Sequence, residues 1–171
     1  MSQVHSFPPV EPEQARVLIL GSMPGKASLR VRRYYAHPRN AFWSIMGQLL
    51  DFEPDLPYEE RLTQLRLAGI GLWDVLQTCT RSSSLDSDII ESSIVPNDFA
   101  GWFARHPRTA TVLCNGSKAW QSYRRHVLPR LPAPYCHLPL HRLPSTSPAH
   151  ATMSPGDKQK HWGDSLLPLL R

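Results

Sequence analysis

The chain has 171 residues, 41% hydrophobic and 19% charged, a balance that fits one folded domain and excludes a disordered chain. Its net charge of +5, carried by 15 Arg and only 4 Lys, points to a polyanionic partner. No apolar run approaches the roughly 18 residues of a membrane span, and the start MSQVHSFPPVEPEQ lacks the basic and apolar regions of a secretory signal. The three cysteines, Cys79, Cys114 and Cys136, are widely spaced with no CxxC pair, which argues against a disulfide framework, a zinc site or an iron–sulfur cluster. The expectation is a reduced, cytoplasmic, monomeric protein that binds no membrane.

Residues 1–15 read as a loose, Pro-rich lead ahead of a single domain over 16–171. The apolar run VLIL (17–20) predicts a buried strand that opens into a loop at Gly21. Apolar residues at helical spacing predict helices over 41–50 and 58–68, the second closed by Gly69. IGLW (70–73) predicts a second strand, and the Ser/Asp-rich residues 80–97 a loop with one helical turn. Asp98 is placed to cap a helix over 98–105. TVLC (111–114) predicts a third strand, followed by Asn115-Gly116-Ser117 and a helix to about residue 128. YCHLPL (135–140) predicts a fourth strand, and 156–170 a last helix.

This alternation predicts a three-layer α/β/α fold around a central four-stranded parallel sheet. In such folds ligands bind where the loops after the strands collect. Those loops are GSMPGKAS, DVLQTCTRSSS, NGSK and HRLPSTSPAHA, all rich in small, polar or Pro residues. Basic residues gather nearby: Arg30, Arg32, Arg33 and Arg39 crowd Tyr34, Tyr35 and His37, either as a solvated face or as part of a groove for phosphates.

Four segments, in order, carry a resemblance. GSMPGKASLRVRRYYAHPRNAFW (21–43) resembles the first motif of the uracil-DNA glycosylase superfamily, closest to its mismatch-specific and hypoxanthine-specific branches. GIGLWDVLQTC (69–79) resembles the strand carrying the base-reading residue, NGSKAW (115–120) the turn near the DNA backbone, and LPSTSPAHA (143–151) the motif that wedges into the duplex. The resemblance implies a four-stranded parallel sheet between helices. It also implies hydrolysis of the N-glycosidic bond of a damaged base flipped out of DNA, with no metal or redox cofactor. Two positions depart from uracil-excising members. Met23 stands where an Asn or Asp positions or activates water, and Leu143 where His or Asn precedes Pro-Ser. The hypoxanthine branch has a similar pattern, with its catalytic Asn in the HPxN segment, here Asn40. The resemblance therefore implies excision of hypoxanthine from deoxyinosine, leaving an abasic site. The alternatives are a uracil- or mismatch-specific glycosylase and an inactive nucleic-acid-binding domain.

The chemistry then assigns candidate roles. Asn40 can position a water at the sugar carbon or donate to the leaving base, and can also cap the helix that begins after it. Asp74 stands where uracil-specific relatives place an amide; ionised, it could accept from N1–H of hypoxanthine, which adenine lacks, and burial would raise its pKa. Base-binding candidates are Gly21, Ser22, Met23, Pro24 and Gly25, whose backbone can approach closely, with Tyr35 stacking on the flipped base and Asn115 beside it. DNA-binding candidates are Arg39, Ser117, Lys118, Ser145, Thr146, Ser147, Pro148 and His150. Phe42 and Trp43 are expected in the core, Tyr34 in packing, and His37 as a brace. None of the four lysines suits Schiff-base chemistry, which argues for a monofunctional enzyme.

Overall fold

The computed structural model describes residues 2–170. Its central sheet has four parallel strands in the order β3-β2-β6-β7: β2 (Val17–Gly21), β3 (Ile70–Asp74), β6 (Thr111–Asn115) and β7 (Leu140–Leu143). The side chains of β2 alternate between two cores, as a pleated strand buried on both faces requires. Leu18 and Leu20 face one layer with Phe99, Trp102 and Phe103 of α4 (Phe99–Arg105) and Ala119 of α5 (Ser117–Ser122). Val17 and Ile19 face the other. That second layer holds Phe42, Trp43, Ile45 and Met46 of α2 (Phe42–Leu50), Leu62 and Leu65 of α3 (Tyr58–Leu67), and Trp162 and Leu166 of α6 (Pro155–Leu166). Each fully buried Leu, Ile or Phe in these layers contributes about 1.5–3 kcal/mol relative to exposure. The three-layer α/β/α architecture expected from the alternation is therefore present.

The helix ends follow local chemistry. Asp98 accepts from the Gly101 amide (3.0 Å) at the start of α4, and Ser154 from the Asp157 amide (3.1 Å) at the start of α6. The helix begun by α5 continues through a wider turn at Tyr123–Val127 to Arg130, close to its expected end. A short α1 (Lys26–Val31), without a sequence signal of its own, closes on Arg32 in the left-handed region (φ 56°).

Three expectations are corrected. The amino-terminal lead is not loose: β1 (Ser2–His5) pairs antiparallel with β4 (Leu76–Arg81), and Val10 bridges Leu72. With β5 (Val95–Pro96), β1 and β4 form a second, three-stranded sheet. β1 carries no apolar run, and β4 alternates buried Leu76, Cys79 and Arg81 with polar residues, so neither announces itself. The Ser/Asp-rich 80–97 segment therefore begins as strand and holds two helical turns, Asp86–Asp88 and Glu91–Ser93, rather than one. Finally, the fourth central strand is Leu140–Leu143, not 135–140. Tyr135–His137 forms a tight helical turn, with Tyr135 stacked on Phe103 (4.7 Å), so its apolar character serves packing. The true edge strand exposes His141 and Arg142 and carries no apolar signature. Among the described residues no helix is long and apolar enough to cross a membrane.

Candidate active site

The carboxyl ends of the parallel strands, with the loops that follow, enclose a cavity of about 870 Å³. Gly21, Asp74 and Asn115 end three of these strands and line it. So do Ser22, Met23, Pro24, Gly25, Tyr35 and Asn40 from the first motif, Ser117 and Lys118 from the α5 turn, and Ser145, Thr146, Ser147, Pro148 and His150 from the last loop. Arg39 does not line it and stands exposed beside it. Segments up to 129 positions apart in sequence are thus brought to one opening, as a parallel sheet dictates.

The floor is built by close approach. A Cβ on Gly21 would sit 2.5 Å from Asp74 Oδ1 and 3.0 Å from the Tyr35 hydroxyl, so only glycine fits there. The carbonyls of Gly21 and Ser22 accept from the amides of Val75 (2.8 Å) and Leu76 (3.1 Å), which pins the first-motif loop to the β3–β4 junction. Buried Arg81, at the end of β4, donates from Nη2 to the Pro24 carbonyl (2.6 Å) and braces the same loop from behind. Asn97 Nδ2 donates to the Asp74 carbonyl (2.8 Å) and fixes the strand end.

Asp74 is 4% exposed, and its Oδ2 is enclosed without a hydrogen-bond partner. Burial, with the nearby charge of Asp86, outweighs the opposing pull of Arg81 and lifts its pKa to about 7. Near neutrality it is therefore divided between the neutral and ionised forms. The sequence expectation of an ionised acceptor covers only part of that population. Asp86, from a segment not singled out beforehand, accepts from Ser22 Oγ (2.6 Å) at the cavity edge, and desolvation raises its pKa too. Ser84 Oγ accepts from the Lys26 amide (2.8 Å). Residues 84–87 thus form a wall of the site, a role that their plain Ser/Asp composition does not signal.

Asn40 is half-buried, and its Oδ1 accepts from the Phe42 amide (3.0 Å). Asn40 therefore lines the cavity and bonds the first amide of α2 from one position before the cap residue, Ala41, so it supports the helix start without being its cap. The bond orients the side chain and leaves one oxygen lone pair and the Nδ2 donors free. The Ala41 amide donates to the Thr146 carbonyl (3.0 Å), tying the Asn40 segment to the last loop. Tyr35 adopts φ 56°, rare for a residue with a side chain and typical of strain held at a site. One face of its ring stacks on Phe42 (4.1 Å, 23°), so only the other face is left for a base. Its hydroxyl is enclosed. Phe42 and Trp43 are core residues, Tyr34 is buried with its hydroxyl donating to the Pro8 carbonyl (2.9 Å), and Met23 and Leu143 are both buried.

Two candidate contacts are already engaged. Asn115 and Thr146 bond each other reciprocally: Nδ2 to Thr146 Oγ1 and the Thr146 amide to Asn115 Oδ1, both at 2.9 Å. The amide read as base-binding is thereby committed to holding the last loop on the sheet. Lys118 donates to Glu91 Oε2 (2.6 Å), a carboxylate it shares with His126 and Arg125, so the lysine is already held in an ion pair at the cavity edge. His150 is half-buried, and its carbonyl accepts from the buried Lys158 Nζ (2.6 Å), which anchors the end of the loop to α6. Among the described residues, no group of three His, Cys, Asp or Glu side chains gathers as a metal site would.

The family described as the uracil DNA glycosylase superfamily matches residues 8–171. A protein of Methanosarcina acetivorans named hypoxanthine DNA glycosylase is 37% identical over 132 residues, covering 72% of this chain and 82% of its own. One of the same name from Methanosarcina barkeri is 39% identical over 114 residues, covering 66% and 71%. The solution NMR structure of a candidate uracil DNA glycosylase from Methanosarcina acetivorans superimposes with a TM-score of 0.82 at 32% identity, covering 99% of this chain and all of that one. A four-stranded parallel sheet, a cavity at its carboxyl edge walled by all four matching segments, and these relatives agree: the chain belongs to the uracil DNA glycosylase superfamily.

Proposed function

We propose that the chain is a monofunctional DNA glycosylase that releases hypoxanthine from deoxyinosine and leaves an abasic site. The observation that carries this reading is the convergence of Asn40 and Asp74 on one cavity, with Asp74 held partly neutral. In the reaction the bond from sugar C1′ to base N9 breaks, and the base leaves with the electron pair. A water oxygen bonds to C1′, its proton passes to solvent, and the base takes up a proton. Asn40, oriented by the Phe42 amide, holds the water; an amide has no base strength, so its contribution is position.

Asp74 acts on the leaving group. Ionised, it would oppose the growing negative charge of the base in a poorly hydrated cavity. Neutral, its O–H donates to O6 of hypoxanthine, where that charge collects. Adenine presents an amino donor at the same place, so the contact also rejects the undamaged parent. The relatives' names support hypoxanthine over uracil, as does buried Met23 where uracil-excising members position water. The likeness to a structure described as a uracil DNA glycosylase keeps uracil as the second reading. The enzyme works as a monomer on cytoplasmic or nucleoid DNA.

The test is incubation with end-labelled duplexes carrying one hypoxanthine or one uracil, followed by alkali cleavage of abasic sites. Breaks at hypoxanthine are expected. Breaks mainly at uracil would transfer the assignment to the second reading, and binding without breaks at either would indicate a domain that only binds.

A further inference from the structure

A second cavity, of about 430 Å³, lies on the far side of the first-motif loop. It shares Tyr34, Tyr35, His37 and Asn40 with the active-site cavity, so the two are separated by one wall. Two arginines dominate its outer side. Arg33 Cζ lies 5.3 Å from the centre of the Tyr58 ring. Arg61 Cζ lies 5.5 Å from the same centre and 4.9 Å from the Trp43 ring. The platform beneath them is rigid: Tyr58 Oη accepts from the Tyr34 amide (2.9 Å), and Trp43 Nε1 donates to the Tyr34 carbonyl (2.9 Å). Both rings are therefore fastened to the strand of chain that carries Tyr35 and Asn40.

Among the described residues neither cation is held in a direct ion pair, although Asp55 lies near enough to Arg61 to act on it through space. Neither Arg33 nor Arg61 forms an ion pair or a side-chain hydrogen bond among the described residues, although other basic side chains, such as Arg105 and Lys118, have carboxylate partners. Arg61 Nε is enclosed with no partner. A guanidinium held over a ring keeps N–H donors that match phosphate oxygens; on Arg61 these are the Nη groups, because Nε is enclosed. Bringing two unneutralised guanidiniums to one ring costs energy that an anion would offset. Burial, and after it the charge of Arg33, pull the Arg61 pKa down against the opposing influence of Tyr58 and Asp55.

We propose that Arg33 and Arg61, stacked on Tyr58 and Trp43, form a clamp for a backbone phosphate of the damaged strand next to the flipped nucleotide. This rests on the glycosylase reading: His37 and Asn40 line both cavities, so a nucleotide seated in the first would bring its flanking backbone to the second. The clamp pulls the sugar–phosphate backbone toward Asn40 and helps hold the nucleotide out of the stack.

Binding of fluorescein-labelled duplexes, undamaged and with one deoxyinosine, would be followed by anisotropy across a range of KCl for the parent, Arg33→Gln, Arg61→Lys and the Arg33→Gln/Arg61→Gln double variant. Thermal melting reports whether each is folded; exposed Arg33 supplies a variant that keeps the test alive if Arg61 proves necessary for packing. Loss of one phosphate contact should lower the slope of log affinity against log salt by about 0.9 and weaken binding about tenfold. Arg61→Lys should lose less affinity than the double variant and still bind more weakly than the parent, because the charge stays and the fork is lost. A duplex series with one neutral methylphosphonate at each linkage near the lesion then locates the contact. One linkage should cost the parent affinity and cost the double variant nothing. Folded variants with the parent's slope, or methylphosphonate losses equal in both proteins at every linkage, would overturn the clamp. The slope and the methylphosphonate map are read on the deoxyinosine duplex and excision is followed separately, so a parent that binds but releases no hypoxanthine would sink the assigned substrate, while the difference between parent and variants still decides the clamp.

Discussion

The two halves of the cavity floor are built on opposite principles. On the β6–β7 side, Asn115 and Thr146 satisfy each other with two hydrogen bonds, and Gly116 donates to the Leu143 carbonyl (2.9 Å). On the β2–β3 side, Asp74 Oδ2 and Nε and Nη1 of Arg81 are enclosed with no partner among the described residues. Each such group costs roughly 1–3 kcal/mol. A fold tolerates that only where something else is served. The satisfied half is scaffold, and the unsatisfied half is where the base and water belong.

Substitutions can break this contrast, and the largest effect belongs to Asn40. Asn40→Ala should lower the single-turnover excision rate at least about 100-fold with DNA binding retained; an unchanged rate would remove Asn40 from the mechanism. Gly21→Ala comes next. Its methyl must displace Asp74 or Tyr35, so excision should fall by about 10- to 100-fold in a protein that still melts cooperatively. Asp74→Asn separates charge from donor. The parent should lose excision as pH rises through about 7, because the neutral acid is the donor. The amide keeps a donor, so that limb should flatten, and a rate that instead rises through pH 7 would show that the ionised form acts.

The same substitution has a stability signature. Folded Asp74 holds its proton to about pH 7, whereas the unfolded carboxyl releases it near its ordinary 3.8. Between those values the folded state binds more protons, so stability falls as pH rises and levels off above 7. Asp74→Asn should therefore raise the melting temperature at about pH 8, by up to about 4 kcal/mol in free energy, and leave it unchanged near about pH 4. On the satisfied side, Asn115→Ala should cost about 1–3 kcal/mol by orphaning buried Thr146, read as a lowered melting temperature at every pH. Lys118→Gln should have the smallest effect on DNA affinity, below about threefold, because Glu91 already holds that charge in an ion pair.

Sequence reasoning reached the elements that bury a continuous apolar stripe. β2, β3 and β6 are runs buried at every position, and α2, α3, α4 and α6 repeat their apolar residues at helical spacing. It missed β1, β4 and β5 and set β7 a few residues early, at 135–140; these strands lie at sheet edges or in a small two-sided sheet where polar residues suffice. Within the site, the matched loops were legible because close approach demands glycine and small residues. The Asn115–Thr146 pair was not, since its partners lie 31 positions apart and either amide reads equally well as a ligand contact. Nor was the wall at residues 84–87, whose Ser and Asp residues resemble any solvated loop until Asp86 is seen bonded to Ser22.

The strand order carries a consequence for synthesis. β7 is the last strand to emerge, sits at the sheet edge and delivers the loop that Asn115 must hold. Until residue 143 is free, β6 presents a bare edge of unpaired amides and carbonyls, the kind of surface on which nascent chains associate. Residues 144–150 then complete the cavity. The active site is thus complete only after residue 150 has emerged, and a chain stalled before residue 140 would expose an adhesive strand without the chemistry to justify it.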